Sequence, residues 1–370
     1  MRYYIIAGEA SGDLHGSNLM KAIKANDPNA VMQCWGGDLM QAAGGNLVKH
    51  YSSLAFMGFV EVLMNINTIL SNIKFCKKNI EAFEPDVLIC IDYPGFNLRI
   101  AKWAKSKGLK VVYFIAPQVW AWKENRVPAM RENIDRLLCI LPFEKEYFKE
   151  RWNWDVDYIG HPLMQVLERQ HNLPHPLPSI AGEKIIALLP GSRKQEIIKK
   201  LPEMLSVVNA FPDYHFAIAQ APGLDDAWFA SLVPSNKNVH IVKGNTYALL
   251  NHSIAALVTS GTATLETALL GVPEIVCYKG NPITLALAKR FVKIKFIALV
   301  NLIMDKEVVK ELIQEDLNKK NLVQQLTLLL EDENKKAQIA SDYKLLKEKL
   351  YTGQSATEVA ARIIEEEIAK

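Results

Sequence analysis

The chain has 370 residues, of which 49% are hydrophobic and 22% charged, and its formal net charge at pH 7 is +3. Two domains of ordinary size are expected, because one compact core rarely organises this length. So slight a charge surplus argues against a nucleic-acid-binding protein. Five scattered cysteines indicate buried thiols, with neither a disulfide framework nor a metal site. No apolar stretch reaches the roughly 20 residues that span a bilayer, and the N-terminus is typical of a first strand, so we expect a cytoplasmic protein.

Short apolar runs alternate with longer helical patterns, which predicts parallel sheets covered by helices. Strands are predicted at 3–7, 31–35, 86–91, 110–115, 136–141, 156–159, 184–189, 215–219, 239–242, 255–258 and 274–277. A proline cluster then predicts a linker, and the pattern after Asp305 is purely helical. The expected divisions are a Rossmann-like domain over 1–165, a linker over 166–182, a second Rossmann-like domain over 183–345, and a C-terminal helix over 346–370 that returns to the first domain.

Two loops in the first half of the chain contain candidate functional residues. The sequence GEASGD, which includes Ser11, follows the first strand and would bring a helix N-terminus close to a ligand. The alternative is a structural turn in which Asp13 caps a helix. Asp92 ends a very apolar strand, so we expect a poorly solvated carboxylate that takes a proton from an attacking hydroxyl. The alternative for Asp92 is a cap on the following helix.

Aromatic and apolar residues predict a surface for a sugar or an acyl chain. Trp120 and Trp122 suit such a surface, although they would equally serve as a structural plug. A helical stripe runs from Phe59 through Ile66 and Leu70, with lysines just beyond it. Most such stripes face a core, and insertion into a membrane is the alternative for its outer part. The run 289–296, which mixes cations with apolar groups, supports the membrane alternative.

Two loops of the second half predict a nucleotide diphosphate site without a bound metal. Arg193, in the sequence LPGSR, offers a fork of donors that suits a phosphate. Ser260, Gly261 and Thr262 begin a helix, and hydroxyls with free backbone N–H groups there bind anions. Glu266, one turn later, would accept hydrogen bonds from a ribose diol. Ordinary helix capping is the alternative for this second loop.

Taken together, these motifs resemble the lipid-A-disaccharide synthase family. GEASGD, GFVEVL, IDYPGFN, APQVWAW, LPFEK, GHP, LPGSR and SGTATLE occur in the order that the family has. The resemblance implies a GT-B fold, with two Rossmann-like domains facing across a cleft and a helical C-terminal region. It also implies an inverting hexosyltransferase that lies peripherally on the cytoplasmic face of the inner membrane.

The implied reaction joins UDP-2,3-diacylglucosamine to 2,3-diacylglucosamine 1-phosphate through a β-1,6 bond and releases UDP. No cofactor and no metal are implied, and a homodimer is compatible with the sequence. The implied roles divide between the domains, with the acceptor on the first and the UDP-sugar on the second. The alternatives are a non-hydrolysing UDP-sugar epimerase and a non-catalytic nucleotide-sugar-binding protein.

Residue by residue, the resemblance makes Ser11 and Asp92 catalytic, with Asp92 as the base. Arg193 would serve both the leaving group and UDP binding, together with the 260–262 loop and Glu266. Asn301 matches an asparagine of a Pro-Asn-Leu-Leu motif near UDP.

The chain departs from the family at two of these motifs. Val300 replaces the proline before Asn301, and Ile303 replaces the motif's second leucine, which weakens the assignment of Asn301. Gly95 stands where many members carry a second aspartate, which leaves Asp92 as that loop's carboxylate.

Overall fold

The computed structural model describes residues 1–53, 66–171, 182–280 and 295–370. These residues form two compact units. Unit 1 contains Met1–Pro162 together with Leu350–Lys370, and unit 2 contains Leu163–Lys349. No helix among the described residues is long and apolar enough to cross a membrane. All five cysteines are buried free thiols, as expected.

Unit 1 is built on a seven-stranded parallel sheet with the order β3-β2-β1-β4-β5-β6-β7. The strands are β1 (Arg2–Ala7), β2 (Val31–Gly36), β3 (Asn46–His50), β4 (Val87–Ile91), β5 (Lys110–Phe114), β6 (Arg136–Cys139) and β7 (Asp157–Tyr158). Every residue of β4 is buried, because helices cover both faces of the sheet. This double cover explains why the central strands are continuous apolar runs in the sequence.

Seven helices surround this sheet within the described part of unit 1. They are α1 (Ala10–Asn26), α2 (Asp38–Ala42), α3 (Ile66–Phe83), α4 (Pro94–Ser106), α5 (Val127–Asn133), α6 (Pro142–Trp152) and, from the chain's end, α15 (Ala356–Ala369). Helix α15 packs against α1. The ammonium of Lys110 donates to the carbonyls of Glu367 (2.7 Å) and Ile368 (3.0 Å), which ties the last turn of α15 to the start of β5.

Unit 2 repeats the plan with a six-stranded parallel sheet in the order β10-β9-β8-β11-β12-β13. The strands are β8 (Ile185–Leu189), β9 (His215–Gln220), β10 (Val239–Lys243), β11 (Ser253–Thr259), β12 (Glu274–Tyr278) and β13 (Lys310–Ile313). The helices are α7 (Leu163–His171), α8 (Lys194–Leu205), α9 (Asp226–Ser231), α10 (Thr246–Asn251), α11 (Thr262–Leu269), α12 (Leu299–Met304), α13 (Lys319–Glu331) and α14 (Glu333–Leu350).

The strand order of each sheet reverses beside its first strand. In unit 1, Ala7 of β1 pairs with Ile91 of β4, so the loops after these strands are neighbours. In unit 2, Leu189 of β8 pairs with Val258 of β11, with the same consequence. Ligands of open parallel sheets bind at such switch points, outside the carboxyl ends of the strands. The predicted site loops therefore lie where the topology favours binding.

The hydrophobic pattern of the sequence does not predict one strand in each sheet. The helical pattern after Asp305 is wrong for Lys310–Ile313, which forms the edge strand β13. Strand β3 was not predicted either, and four of its five residues are only half-buried. Edge strands bury less apolar surface than central ones, so their hydrophobic signal is weak.

Candidate active site

The loop after β4 is held in an uncommon backbone conformation. Asp92 (φ 42°) and Tyr93 (φ 49°) both lie in the left-handed region, which costs of order 1–3 kcal/mol for each such residue. The carbonyl of Asp92 accepts hydrogen bonds from Asn97 Nδ2 (2.8 Å) and from the hydroxyl of Tyr113 (2.6 Å). These two buried side chains keep the strained loop in place.

Asn97 also joins the two strands at the switch point. Its fully buried amide donates to the carbonyls of Ile6 in β1 (3.3 Å) and Ile91 in β4 (3.1 Å). One side chain therefore holds both strand ends and the Asp92 carbonyl. No pattern in the sequence singles out Asn97, since an asparagine in the first turn of a helix is common.

Gly8, in the loop after β1, is needed because Tyr93 packs on it. A Cβ at Gly8 would lie 2.3 Å from Cγ of the Tyr93 ring, closer than real contacts allow. The GEASGD loop and the Asp92 loop are therefore packed directly against each other. This contact gives a physical reason for glycine at position 8.

The Asp92 carboxyl combines access with poor solvation. The residue is exposed to solvent, but its carboxyl is poorly hydrated. Its pKa is raised to about 6, first by burial and second by the negative charge of Glu9, against a hydrogen bond from the backbone N–H of Tyr93. A carboxylate with this pKa is still ionised at neutral pH, and it is a stronger base than an ordinary aspartate.

A second buried carboxylate, Glu144, was not predicted as part of the site. It accepts hydrogen bonds from the backbone N–H of Leu141 (3.0 Å) and from Trp120 Nε1 (3.0 Å). Burial raises the pKa of Glu144 to about 7, and the charge of Asp92 contributes in the same direction. Glu9, Asp92 and Glu144 thus form an acidic region at the carboxyl ends of β1, β4 and β6. The available signal was the glutamate in LPFEK, just after a strand.

Ser11 lies in the first turn of α1 and is exposed, so its hydroxyl is available to a ligand. Asp13 behaves differently. Its buried carboxylate accepts hydrogen bonds from the backbone N–H groups of Gly37 (2.7 Å) and Met40 (3.0 Å). Asp13 therefore caps the neighbouring helix α2, whereas the sequence suggested a cap on its own helix.

The two tryptophans have different surroundings. Trp120 is half-buried, donates to Glu144 and stands edge-on to Phe143 with ring centroids 4.9 Å apart. Trp122 is 50% exposed, and the ammonium of Lys123 lies 4.2 Å from its ring centroid. Trp120 thus supports the acidic region, and Trp122 offers an open aromatic face beside a cation.

The predicted apolar stripe is only partly described. Phe59 lies outside the described residues, as does the run 289–294 of the second mixed patch, and nothing is shown of the Ile66 side chain. Leu70 is 53% exposed on α3, whereas Ile73 is only 9% exposed and belongs to the core. The stripe therefore has both a core side and an outward side.

In unit 2, the loop after β8 presents Arg193 at the start of α8. Gly191 (φ 121°) adopts a backbone conformation that favours glycine, and a Cβ there would lie 2.6 Å from Glu196 Oε2. The Arg193 side chain is 54% exposed and makes a 3.2 Å ion pair with Glu196. An exposed pair of this kind is weak, so the guanidinium can turn to an anion.

The loop after β11 leads directly into α11. Gly261 (φ 143°) precedes the helix, and Thr262 is its first residue. The hydroxyl of Ser260 donates to the carbonyl of Ile297 (3.1 Å). Because the first N–H groups of a helix have no partner within it, this helix start offers an anion site next to the Arg193 loop.

Glu266 is poised to accept hydrogen bonds. Its side chain is half-buried, and none of the described residues donates a hydrogen bond to it. Burial raises the pKa of Glu266 to about 7. Tyr247 lies near enough that the charge of Glu266 helps to raise the tyrosine's pKa, after burial. A half-buried carboxylate without hydrogen-bond donors is stabilised by any donor that a ligand supplies.

Asn301 has a supporting position in this structure. It is fully buried, and its amide donates to the Val309 carbonyl and to Glu311 (both 2.9 Å) while accepting from two backbone N–H groups. No hydrogen-bonding capacity of the side chain is left for a ligand. Glu311 also accepts from the N–H of Ile297, whose carbonyl binds Ser260. Asn301 thereby supports the Ser260 loop, and its assignment to UDP binding stays a prediction.

Lys200 is a further residue that the sequence did not single out. It is 4% exposed, and its ammonium donates to the hydroxyl of Thr259 at the end of β11. Burial is the main cause of its lowered pKa. The signal was a lysine on the otherwise apolar face of α8, beside Ile197 and Leu201, both fully buried.

Solved glycosyltransferases share this fold over the whole chain. The glycosyltransferase of kitacinnamycin has a TM-score of 0.68 at 16% identity and covers 99% of both chains. CalG4, the calicheamicin glycosyltransferase, has a TM-score of 0.65 at 14% identity, over 100% of this chain and 98% of its own. A UDP-GlcNAc 2-epimerase from Neisseria meningitidis, bound to UDP-GlcNAc, has a TM-score of 0.66 at 13% identity. The match covers 99% of this chain and 100% of the epimerase chain. The fold is thus the GT-B fold of glycosyltransferases.

Sequence comparison defines the family within this class. The family model for lipid-A-disaccharide synthetase matches residues 3–364. The lipid-A-disaccharide synthase of Geobacter sulfurreducens is 35% identical over 98% of this chain and 97% of its own length. The lipid-A-disaccharide synthase of Syntrophus aciditrophicus is 35% identical over 94% of this chain and 92% of its own length. The chain belongs to the lipid-A-disaccharide synthase family and is a glycosyltransferase, which confirms the resemblance inferred from its motifs.

Proposed function

We propose that this enzyme condenses UDP-2,3-diacylglucosamine with 2,3-diacylglucosamine 1-phosphate by an inverting mechanism. The products are the β-1,6-linked disaccharide 1-phosphate and UDP. The observation that carries the proposal is Asp92, an ionised but poorly solvated carboxylate at the switch point of unit 1. The names of the full-length relatives support the substrates.

In the proposed reaction Asp92 accepts the proton of the acceptor 6-hydroxyl. The hydroxyl oxygen attacks the anomeric carbon from the side opposite the nucleotide, and a new C–O bond forms. The bond from the anomeric carbon to UDP breaks, and its electron pair leaves with the diphosphate. A single displacement of this kind inverts the anomeric centre. Ser11, exposed in the first turn of α1, is assigned to the same acceptor side.

The negative charge that develops on the diphosphate needs positive potential. Arg193 supplies a planar fork of donors, and the helix start at Ser260, Gly261 and Thr262 supplies backbone N–H groups. Glu266 is assigned to the ribose hydroxyls, because its carboxylate lacks donors among the described residues. We accordingly assign the acceptor to unit 1 and the UDP-sugar to unit 2.

Both substrates carry acyl chains, so the proposal includes a peripheral position on the inner membrane. The outward side of α3 near Leu70 and the open face of Trp122 are the described surfaces that suit acyl chains. A UDP-sugar epimerase is the alternative with the same fold, and solved epimerases resemble this chain at 13% identity. Full-length relatives at 35% identity carry the synthase name, which favours transfer to a lipid acceptor.

Replacing Asp92 with asparagine tests the proposal. We expect Asp92→Asn to lower turnover by at least about 100-fold, within the range of about 100- to 10,000-fold that a general base supplies. UDP affinity, measured by calorimetry, should stay close to that of the wild type, because the base acts on the acceptor. Asp155→Asn, at an exposed aspartate of the same unit, is the matched control and should keep full activity. Near-normal turnover of a folded Asp92→Asn protein would refute the assignment.

A further inference from the structure

A groove of about 290 Å³ runs between α4 and α5 in unit 1. Its floor is apolar and includes Leu98, Ala101 and Met130. Ala101 and Met130 are buried within the core, so this floor is fixed by packing. A preformed apolar floor suits part of an acyl chain.

The rim of the groove is cationic. Arg99, Lys102 and Arg126 line it, and no aspartate or glutamate does. Within the described ranges, no carboxylate makes an ion pair with any of these three side chains, unlike Lys105 on the same helix, which pairs with Asp135. Three cations that have no carboxylate partner among the described residues, all beside one cavity, attract an anion, and arginine forks match phosphate oxygens.

The groove adjoins the loop of the proposed base. Pro94 and Gly95 line it, and the two chain steps between Asp92 and Pro94 span at most about 7 Å. The positive charge of Arg126 acts on the hydroxyl of Tyr113, which itself donates to the Asp92 carbonyl. A ligand in the groove therefore lies close to the Asp92 loop.

We propose that this groove binds the phosphate monoester of the acylated acceptor sugar. Arg99, Lys102 and Arg126 hold the phosphate, and the apolar floor takes the first part of a neighbouring acyl chain. The 1-phosphate and the hydroxymethyl group that bears the 6-hydroxyl are attached to the two carbons that flank the ring oxygen, so a phosphate held here fixes where the 6-hydroxyl lies relative to Asp92. This inference rests on the proposed function and adds a specificity site to it.

The test compares two acceptors on the full-length enzyme. The variant Arg99→Gln with Lys102→Gln, and separately Arg126→Gln, are assayed with 2,3-diacylglucosamine 1-phosphate and with the same sugar lacking the phosphate. The double variant should lose about 10- to 100-fold in kcat/KM on the phosphorylated acceptor, the range for lost hydrogen bonds to a charged group. Activity on the phosphate-free acceptor and the affinity for UDP should change little.

Lys107→Gln is the matched control, because Lys107 follows the same helix but pairs at the surface with Glu81. An unchanged preference for the phosphorylated acceptor in the groove variants would overturn the proposal. An equal loss on both acceptors, together with weaker sedimentation with anionic vesicles, would assign the cations to the bilayer and overturn it as well.

Failure of the proposed function is distinguishable from failure of the groove. If the wild-type enzyme forms no disaccharide, the proposed function fails. Calorimetric binding of the phosphorylated acceptor to wild type and double variant then tests the groove directly. Weaker binding in the double variant supports it, and equal binding refutes it.

Discussion

At the scale of single residues, burial raises the pKa of two carboxyl groups in unit 1, those of Asp92 and Glu144. Asp92 has a pKa of about 6 and Glu144 one of about 7, and in both cases burial is the first cause. Their neighbours fix their positions, with Asn97 and Tyr113 holding the Asp92 loop. The carboxyl of Asp92, which we propose as the base, is thus mostly ionised above pH 6.

The fall in rate on the acidic side of the pH–rate profile, its acidic limb, should reflect protonation of the Asp92 carboxylate. The base must be deprotonated, so kcat/KM should fall as the pH decreases through about 6. Glu9→Gln removes a negative charge that raises this pKa, so the limb should move to lower pH in the remaining activity. Glu132→Gln, at an exposed glutamate of the same unit, is the control and should leave the limb in place. An unshifted limb in Glu9→Gln would show that Glu9 does not influence the base.

Arg193 should affect the nucleotide in both the ground state and the transition state. Arg193→Ala is expected to weaken UDP binding and to slow turnover together, and Arg193→Lys should restore only part, because an ammonium lacks the planar fork. Titration calorimetry and steady-state rates measure the two effects. Complete rescue by lysine would show that a point charge is enough. Activity should also survive EDTA, because in the proposed mechanism Arg193 and the helix start at 260–262 take the place of a metal cation.

The sequence predicted Asp92 and Arg193 because each follows an apolar strand, where parallel sheets place their ligands. It missed Glu144, Asn97 and Lys200 for a different reason. Their roles depend on partners distant in the chain or on buried backbone carbonyls, such as Ile6 for Asn97. Periodicity and loop composition carry no information about such partners.

At the scale of elements, helix α3 separates a core side from an outward side. Ile73, Cys76 and Ile80 are buried, whereas Leu70 is exposed and Lys74 follows it one turn later on the same side. An exposed leucine next to lysines is typical of a surface that contacts anionic lipid. The buried residues explain why the stripe also satisfies the expectation of a core helix.

Replacing Ile66 and Leu70 with serine should reduce sedimentation with anionic vesicles and activity on long-chain substrates. UDP affinity should stay unchanged. Binding of the wild-type enzyme to vesicles should weaken as the salt concentration rises, because each lysine near the surface contributes about 1 kcal/mol of attraction to anionic lipid and salt screens that attraction. Leu328→Ser, at an exposed leucine of α13 in unit 2, is the control for loss of apolar surface. Unfolding of the double variant would assign these residues to the core. Unchanged vesicle binding would show that the membrane-binding surface lies elsewhere, and the run 289–296 would be the next surface to test.

At the scale of the whole molecule, two parallel sheets of the same plan each place their loops at a switch point. The alternation of apolar runs and helical patterns was sufficient to predict this plan. The edge strands β3 and β13 were not predictable, since they bury little apolar surface. The bonds of Lys110 to α15 carry no sequence signal either, because their acceptors are main-chain carbonyls.

The central claim is transfer of a sugar from UDP to a lipid acceptor with inversion. The most direct measurement incubates the purified enzyme with α-linked UDP-2,3-diacylglucosamine and 2,3-diacylglucosamine 1-phosphate, counts UDP and disaccharide, and determines the new linkage by NMR. We predict one UDP for each disaccharide, strict dependence on the acceptor, and a β-1,6 bond. Consumption or epimerisation of the UDP-sugar without acceptor, or an α-linked product, would contradict this account.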